Sequence, residues 1–184
     1  MRRIIYWVHT SVDGFVEGPN GEFDWPQMGP ELDQYGRDLH ERVDTLLYGR
    51  RVFEMMADYW PTAGSASDDP HDQWFAPVWQ STPKIVFSRS LRSTEWADQI
   101  IGGDLTVGVE RLKSAPGEDL LLNGGAELAA VLSDLGLIDE YHIVVHPVVL
   151  GGGRQVLPVT DRLNLTFTGA TVLDERVTVM RYTR

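Results

Sequence analysis

The chain has 184 residues, a formal net charge of −11 and no cysteine. Such an acidic surface repels polyanions, which argues against nucleic acid and anionic membrane as partners. The missing thiols exclude cysteine catalysis, cysteine-ligated zinc and disulfides, and fit a reducing cytoplasm.

With 42% hydrophobic residues, no repeat and no Pro/Gly/Ser tract dividing it, residues 1–184 read as a single domain. The start, "MRRIIYWVHTS", has the charge pattern of a signal peptide. Its apolar run Ile4–Val8 is shorter than the ~7–15 residues of an h-region, and no stretch approaches the ~20 apolar residues of a membrane span. Ile4–Val8, Thr45–Tyr48, Lys84–Phe87 and Leu120–Leu122 are apolar without polar alternation, as strands covered on both faces are. Between them, Leu32, Tyr35, Leu39 and Val43 recur at helical spacing behind Pro30, which predicts a helix over 30–43. Further helices are expected over Arg50–Tyr59 and over Ala126–Leu135, the latter stopped by Gly136.

The stretch from Trp60 to Trp79 contains the turn-rich "PTAGSASDDPHD" between aromatic residues. It reads either as a surface loop or as a lid over a pocket. Beyond Asp139, "EYHIVVHPVVL" is a strand and "GGGRQ" a loop. Leu163, Leu165 and Phe167 then alternate with Asn164, Thr166 and Thr168, "RVTVMRY" alternates similarly, and a turn is expected near Leu173–Arg176. The pattern predicts an α/β sandwich: a mostly parallel central sheet, antiparallel C-terminal strands, and helices on both faces.

"DLLLNGGAELAAVL" (119–132) turns a buried strand into a helix through Gly124-Gly125. A helix start offers free N–H groups and partial positive charge, and glycine lets a phosphate approach without meeting a Cβ atom. A tight structural corner explains the pair equally well. The segment is neither a dinucleotide fingerprint after the first strand nor a P-loop. "LLYGRRVFEMM" repeats the theme through Gly49 into Arg50-Arg51, and "KIVFSRSL" leaves a strand with Ser88, Arg89 and Ser90. Arginines at 50, 51, 89 and 92 with serine hydroxyls suit a terminal phosphate, although each arginine alone reads as ordinary solvated charge. After the first strand, the turns Asp13-Gly14 and Asn20-Gly21 make a loop closed by Trp25, which is either a hairpin-like excursion or a flap over a flat ring. His142 and His146 on a strand lie ~13 Å apart, too far to share a metal, and no G-x-S-x-G occurs.

Five stretches in order carry a family resemblance: "HTSVDGFVEG", "LLYGRRVFE", "KIVFSRSL", "LLLNGGAEL" and "GLIDEYHIVVHPVVLGGGRQVL". The chain resembles the dihydrofolate-reductase-like fold and, within it, the C-terminal reductase domain of bacterial bifunctional riboflavin-biosynthesis deaminase-reductases. The resemblance implies NADPH, with the nicotinamide near Thr10 and the Asp13-Gly14 loop and Trp25 against the substrate. Gly49, Arg50, Arg51, Ser88, Arg89 and Ser90 would hold the adenosine phosphates; Asn123, Gly124, Gly125, Ala126 and Glu127 would hold the pyrophosphate. It also implies hydride transfer to a pteridine- or pyrimidine-like heterocycle, on the pattern of a 5-amino-6-(5-phosphoribosylamino)uracil reductase, by a homodimer paired through its C-terminal strands. A catalytic carboxylate is expected at Glu31 or Asp33 on the first helix, with Asp13 as another candidate. No H-x-E with a following cysteine pair is present, so the expectation is a free-standing reductase domain. The rival reading is a nucleotide-binding module without turnover that acts through protein contacts.

Overall fold

The computed structural model describes residues 1–184. In β1 (Ile4–Thr10), Ile4 and Tyr6 enter one apolar layer and Ile5 enters the other. A strand with two buried faces has no reason to alternate with polar residues, which is why these runs are continuously apolar. β2 (Phe15–Glu17) follows, then β3 (Val43–Gly49), β4 (Lys84–Phe87), β5 (Gln99–Ile101), β6 (Asp119–Gly124), β7 (Glu140–Val145), β8 (Arg154–Gln155), β9 (Thr166–Leu173) and β10 (Val177–Thr183). Eight of them form one sheet in the order β5-β4-β3-β6-β1-β7-β10-β9. The ladders from β5 to β7 are parallel, and β10 and β9 add antiparallel strands at one edge. β2 and β8 pair apart from this sheet as an antiparallel ribbon.

Five helices cover the sheet: α1 (Pro30–His40), α2 (Arg50–Ala66), α3 (Pro70–Ser81), α4 (Leu105–Ser114) and α5 (Ala126–Asp134). Val109 and Leu112 of α4 and Ala129 and Leu132 of α5 bury against Ile4, Tyr6, Leu47, Leu120 and Leu122. On the other face, Phe53 and Trp60 of α2 and Phe75 and Trp79 of α3 close over Ile5, Leu46, Tyr48, Val86 and Leu121. α1 places Leu32 against Val144, Val177 and Val179. Each such side chain contributes roughly 1.5–3 kcal/mol by leaving water, so these layers fix the sandwich. No helix is long and apolar enough to cross a membrane.

Several local expectations are corrected. Val43 is not the last residue of α1, which stops at His40; it begins β3, pairs with Asp119 and joins the core. A Leu39-to-Val43 spacing fits helix and strand alike, and the ladder partner decides. The Trp60–Trp79 segment is helical rather than a surface loop. α2 runs on to Ala66 with Pro61 inside it, and α3 begins at Pro70. The polar residues that suggested a loop are caps: the Asp69 carboxylate accepts the His71 N–H at 2.8 Å. Gly64 is a close-approach residue rather than a breaker, since a Cβ there would stand 3.1 Å from the Ala76 Cβ. Leu163 and Leu165 precede β9 and pack half-buried beneath the sheet, and the "GGGRQ" loop contains β8. β5 and α4 had no apolar run long enough to announce them; Asp104 caps α4 by accepting the Val107 N–H.

Asp174 ties the β9–β10 turn to α1. Its carboxylate accepts the N–H groups of Glu31 (2.9 Å) and Leu32 (3.1 Å), while Glu31 in return accepts the Asp174 N–H. Asp174 also holds a positive φ of 55°. Losing a cap costs about 1 kcal/mol, and alanine resists this backbone region. Asp174→Ala is therefore expected to lower stability by about 2 kcal/mol, and Asp174→Asn by less than half of that. A shift in urea midpoint at constant slope measures both.

Candidate active site

β3 and β6 are parallel neighbours, with Tyr48 opposite Gly124. Yet α2, which follows β3, packs on one face of the sheet, and α5, which follows β6, packs on the other. Adjacent strands whose connections diverge open a crevice at their carboxyl ends. Gly49 and Gly125 stand as the N-caps of these two helices, both in extended conformation and neither with a side-chain cap. A Cβ on Gly49 would lie 3.4 Å from the Gly125 nitrogen, so the two helix starts touch. The other three helices begin against carboxylates: Asp174 for α1, Asp69 for α3 and Asp104 for α4. Unpaired first-turn N–H groups and two converging dipoles leave positive potential at the one place where the starts meet.

The paired glycines serve different ends. Gly124 has φ +133°, which side chains rarely adopt, so its glycine is required by conformation. Gly125 has an ordinary φ of −88°. A Cβ there would meet only the Val52 Cγ2, at 3.2 Å.

The crevice widens into a cleft of about 1470 Å³. Gly49, Arg50, Arg51, Ser88, Arg89, Ser90, Asn123, Gly124, Gly125, Ala126 and Glu127 all line it. Arg50 pairs with Glu54 at 3.0 Å, whereas Arg51 and Arg89 make no ion pair. The Ser88 hydroxyl accepts the N–H groups of Ser90 and Leu91, which shapes the turn leaving β4. The Asn123 amide donates to the Tyr48 hydroxyl at 3.1 Å; burial pushes that phenol up to about 12. Glu127 meets Arg154, which also holds Glu17 at 2.7 Å and so ties the β2–β8 ribbon to α5.

The remaining sequence candidates lie outside the lining. The Thr10 hydroxyl is buried against the carbonyls of Ser11 and Phe15. The Asp13 carboxylate accepts the N–H groups of Leu150 (3.1 Å) and Gly151 (2.7 Å); Ser11 and these donors hold it below its ordinary value. Gly14 turns the loop with φ +85°. Trp25 packs edge-on to His146, and Glu31 serves the Asp174 turn. Asp33 alone among the three acids touches a lining residue: it bonds His71 at 2.6 Å and Arg37 at 2.7 Å. Burial raises its pKa, but hydrogen bonds with His71 and Arg37 outweigh that and leave it below the usual carboxylate range.

The far end of the cleft was not anticipated. Trp7, His9, His40, Trp60, His71, Trp74 and Phe75 line it. Ring contacts run unbroken from Trp25 through His146, His9, Trp7 and His40 to Phe75 and Trp60. Four buried side-chain polar atoms in the protein lack a partner: Trp7 Nε1, Trp25 Nε1, His40 Nε2 and His146 Nδ1. All belong to this chain of rings. Unsatisfied buried groups are uncommon and concentrate where a function uses them. His142, by contrast, faces Tyr35 at 2.7 Å and Glu140. The β1–β7 register brings His9 Nδ1 within 2.8 Å of His146 Nε2, a pairing no local signal could reveal.

The fold and cleft define an α/β sandwich of the dihydrofolate-reductase-like type. A dihydrofolate reductase from Enterococcus faecalis complexed with NADP(H) and RAB-propyl superposes with a TM-score of 0.62 over 99% of this chain and 96% of that one, at 13% identity. More narrowly, the family model of the RibD C-terminal domain matches residues 2–179, and the chain belongs to that family. YyaP of Bacillus subtilis (strain 168), an uncharacterized protein, is 35% identical over 185 residues, covering 98% of this chain and 94% of its own length. A crystal structure from Shewanella sp. PV-4, of a protein provisionally named for riboflavin biosynthesis, matches at 25% identity and a TM-score of 0.77, over 99% and 98% of the two chains.

The histidine pair gives stability a pH dependence. Burial above all lowers both groups, His9 to about 3 and His146 to about 4, against roughly 6.5 when unfolded. Between those values the unfolded chain binds more protons, so stability falls as pH drops from about 6.5 towards 4, by on the order of 1.4 kcal/mol per pH unit for each group. Urea unfolding across pH 7.5–4.5 is expected to show this loss, with His146→Asn reducing the slope by about one proton. A flat profile would contradict a neutral buried pair.

Proposed function

We propose that the protein is an NADPH-dependent reductase, built as a single domain, that passes hydride to a small pteridine- or pyrimidine-like heterocycle. The carrying observation is the meeting of two uncapped helix starts at the head of a long cleft. Backbone N–H groups there, with no side chain in front of them, suit the bridging phosphates of a dinucleotide. In this reading Gly49, Asn123, Gly124, Gly125 and Ala126 hold the pyrophosphate, with Glu127 steadied by Arg154. Arg51 and Arg89, free of ion pairs, and Ser88 and Ser90 take the 2′-phosphate, with Arg50 beside them. When bound, the cofactor supplies the hydride; the protein orients the two reactants and excludes water.

Thr10, Asp13 and Gly14 act through the loop they pin, and Trp25 through its contact with His146. Asp33–His71 is the carboxylate–imidazole contact at the cleft, and we assign to it the proton that accompanies the hydride. That pair favours an enzyme over a nucleotide-binding module without turnover. The acidic, cysteine-free chain suits a cytoplasmic setting.

NADPH is expected to bind more tightly than NADH by fluorescence titration, with Arg89→Ala removing the difference and Gly125→Ala weakening both cofactors at least tenfold. Equal affinity of the parent protein for the two cofactors would defeat the 2′-phosphate assignment. Steady NADPH oxidation with a heterocyclic acceptor separates enzyme from module.

We also propose a homodimer paired through β9. This edge strand exposes Phe167 (60%) and Val172 (66%), and an uncovered apolar edge invites a partner strand. Sedimentation at micromolar concentration is expected to give a dimer, and the double variant Phe167→Glu, Val172→Glu a monomer.

A further inference from the structure

α2 runs the length of the cleft and changes character along it. Its lining residues are Arg50, Arg51, Val52, Met55, Met56, Tyr59 and Trp60. Ten residues of helix span ~15 Å, and both cations sit in the first turn. At the far end the charged lining residues are Asp69 and Asp72, with Asp33 behind His71.

No arginine or lysine lines that end. Arg37 bonds Asp33 and lies 4.3 Å over the Trp74 ring. Arg154 is held by Glu17 and Glu127. Arg176 places both guanidinium nitrogens on Gln27, at 2.6 and 2.9 Å, and lies outside the lining. His9 is kept neutral by burial.

Resting on the reductase reading above, we infer that the acceptor is a flat, uncharged heterocycle bearing no phosphate, held between the Trp7, Trp60, Trp74 and Phe75 rings. The end of the cleft that must receive it presents aromatic faces and carboxylates, and a phosphate there would meet like charge with no guanidinium in the lining beside it. The first-turn arginines of α2 lie a helix length away, on the side assigned to the dinucleotide. Beside the carboxylates stand two uncharged polar groups without partners. Trp7 Nε1 is a donor without an acceptor. His40 Nδ1 donates to the Gly36 carbonyl at 2.8 Å, and burial lowers this imidazole's pKa, so its unpartnered Nε2 is an acceptor. The two rings lie 5.9 Å apart, centre to centre. A heterocycle with neighbouring C=O and N–H groups satisfies both once it displaces the rings that now shield them. The phosphoribosylated pyrimidine suggested by the family resemblance does not suit this end of the cleft.

Isothermal titration of the NADPH-loaded protein at pH 7.5 compares two matched pairs: dihydroneopterin with its 3′-phosphate, and 5,6-diaminouracil with its phosphoribosyl derivative. In at least one pair the unphosphorylated member is expected to bind tenfold or more tightly. The double variant Asp69→Asn, Asp72→Asn, which keeps an Asx cap on α3, is expected to bring that gap within threefold. Equal or tighter binding of the phosphorylated members overturns the inference, and Arg176→Ala then shows whether that side chain supplies the missing charge. Failure of both unphosphorylated members to bind overturns it as well. NADPH is titrated into the same preparation beforehand: absence of its binding defeats the reductase reading, and the pair comparison on the unloaded protein still decides the character of the aromatic end.

Discussion

The contact between Gly49 and Gly125 is the constraint on which the site depends. Two parallel strands side by side feed helices to opposite faces of the sheet, and their first turns meet with only hydrogen where side chains would stand. A Cβ at either position narrows the junction, and a carboxylate cap at either would cancel its potential. Asp or Ser is the common solution at a helix start, and the structure uses Asp at the three starts that do not meet at this junction. In a chain of net charge −11, two uncapped starts beside two unpaired arginines form a local reversal of sign, which focuses anions from solution.

The opposite end of the cleft is built on another principle. Its groups are aromatic faces, imidazoles and carboxylates, and two of the four buried polar atoms that no neighbour satisfies, Trp7 Nε1 and His40 Nε2, belong to residues that line it. Each such atom costs roughly 1–3 kcal/mol. The folding energy elsewhere tolerates that cost because three apolar layers already fix the sheet and its helices. On the proposed reading, the cost at Trp7 and His40 disappears when a ligand brings the matching acceptor and donor.

Much of the frame was legible because burial on both faces erases polar alternation: β1, β3, β4 and β6 announced themselves as apolar runs. The glycine corner was legible because Gly124 needs a positive φ and because arginines and serines sit at the neighbouring strand exits. Other features misled for identifiable reasons. Capping residues have the composition of loops, so Ser67, Asp69 and Pro70 masked the junction of two helices. Gly64, inside the turn-rich stretch, lets α2 and α3 approach. Asp13 and Glu31 have the side chain of a catalytic acid and here serve backbone N–H groups, a choice that composition does not encode. The ring cluster was illegible altogether. His9 and His146 are 137 positions apart, and only the register of β1 on β7 brings them together.

This division bears on what a shared fold can carry between relatives. The anion-accepting half is made mostly of backbone: two helix starts positioned by strand order. Strand order and helix starts belong to the fold, which a dihydrofolate reductase shares at 13% identity and a TM-score of 0.62. The aromatic half is made of side chains on β1, α1, α2 and α3, each replaceable without disturbing the sheet. On the proposed reading, fold therefore constrains the cofactor end far more tightly than the acceptor end. On the proposed reading, rings and carboxylates stand here where a phosphorylated acceptor would need a guanidinium, and a change of side-chain chemistry within an unchanged frame turns one architecture to a different molecule.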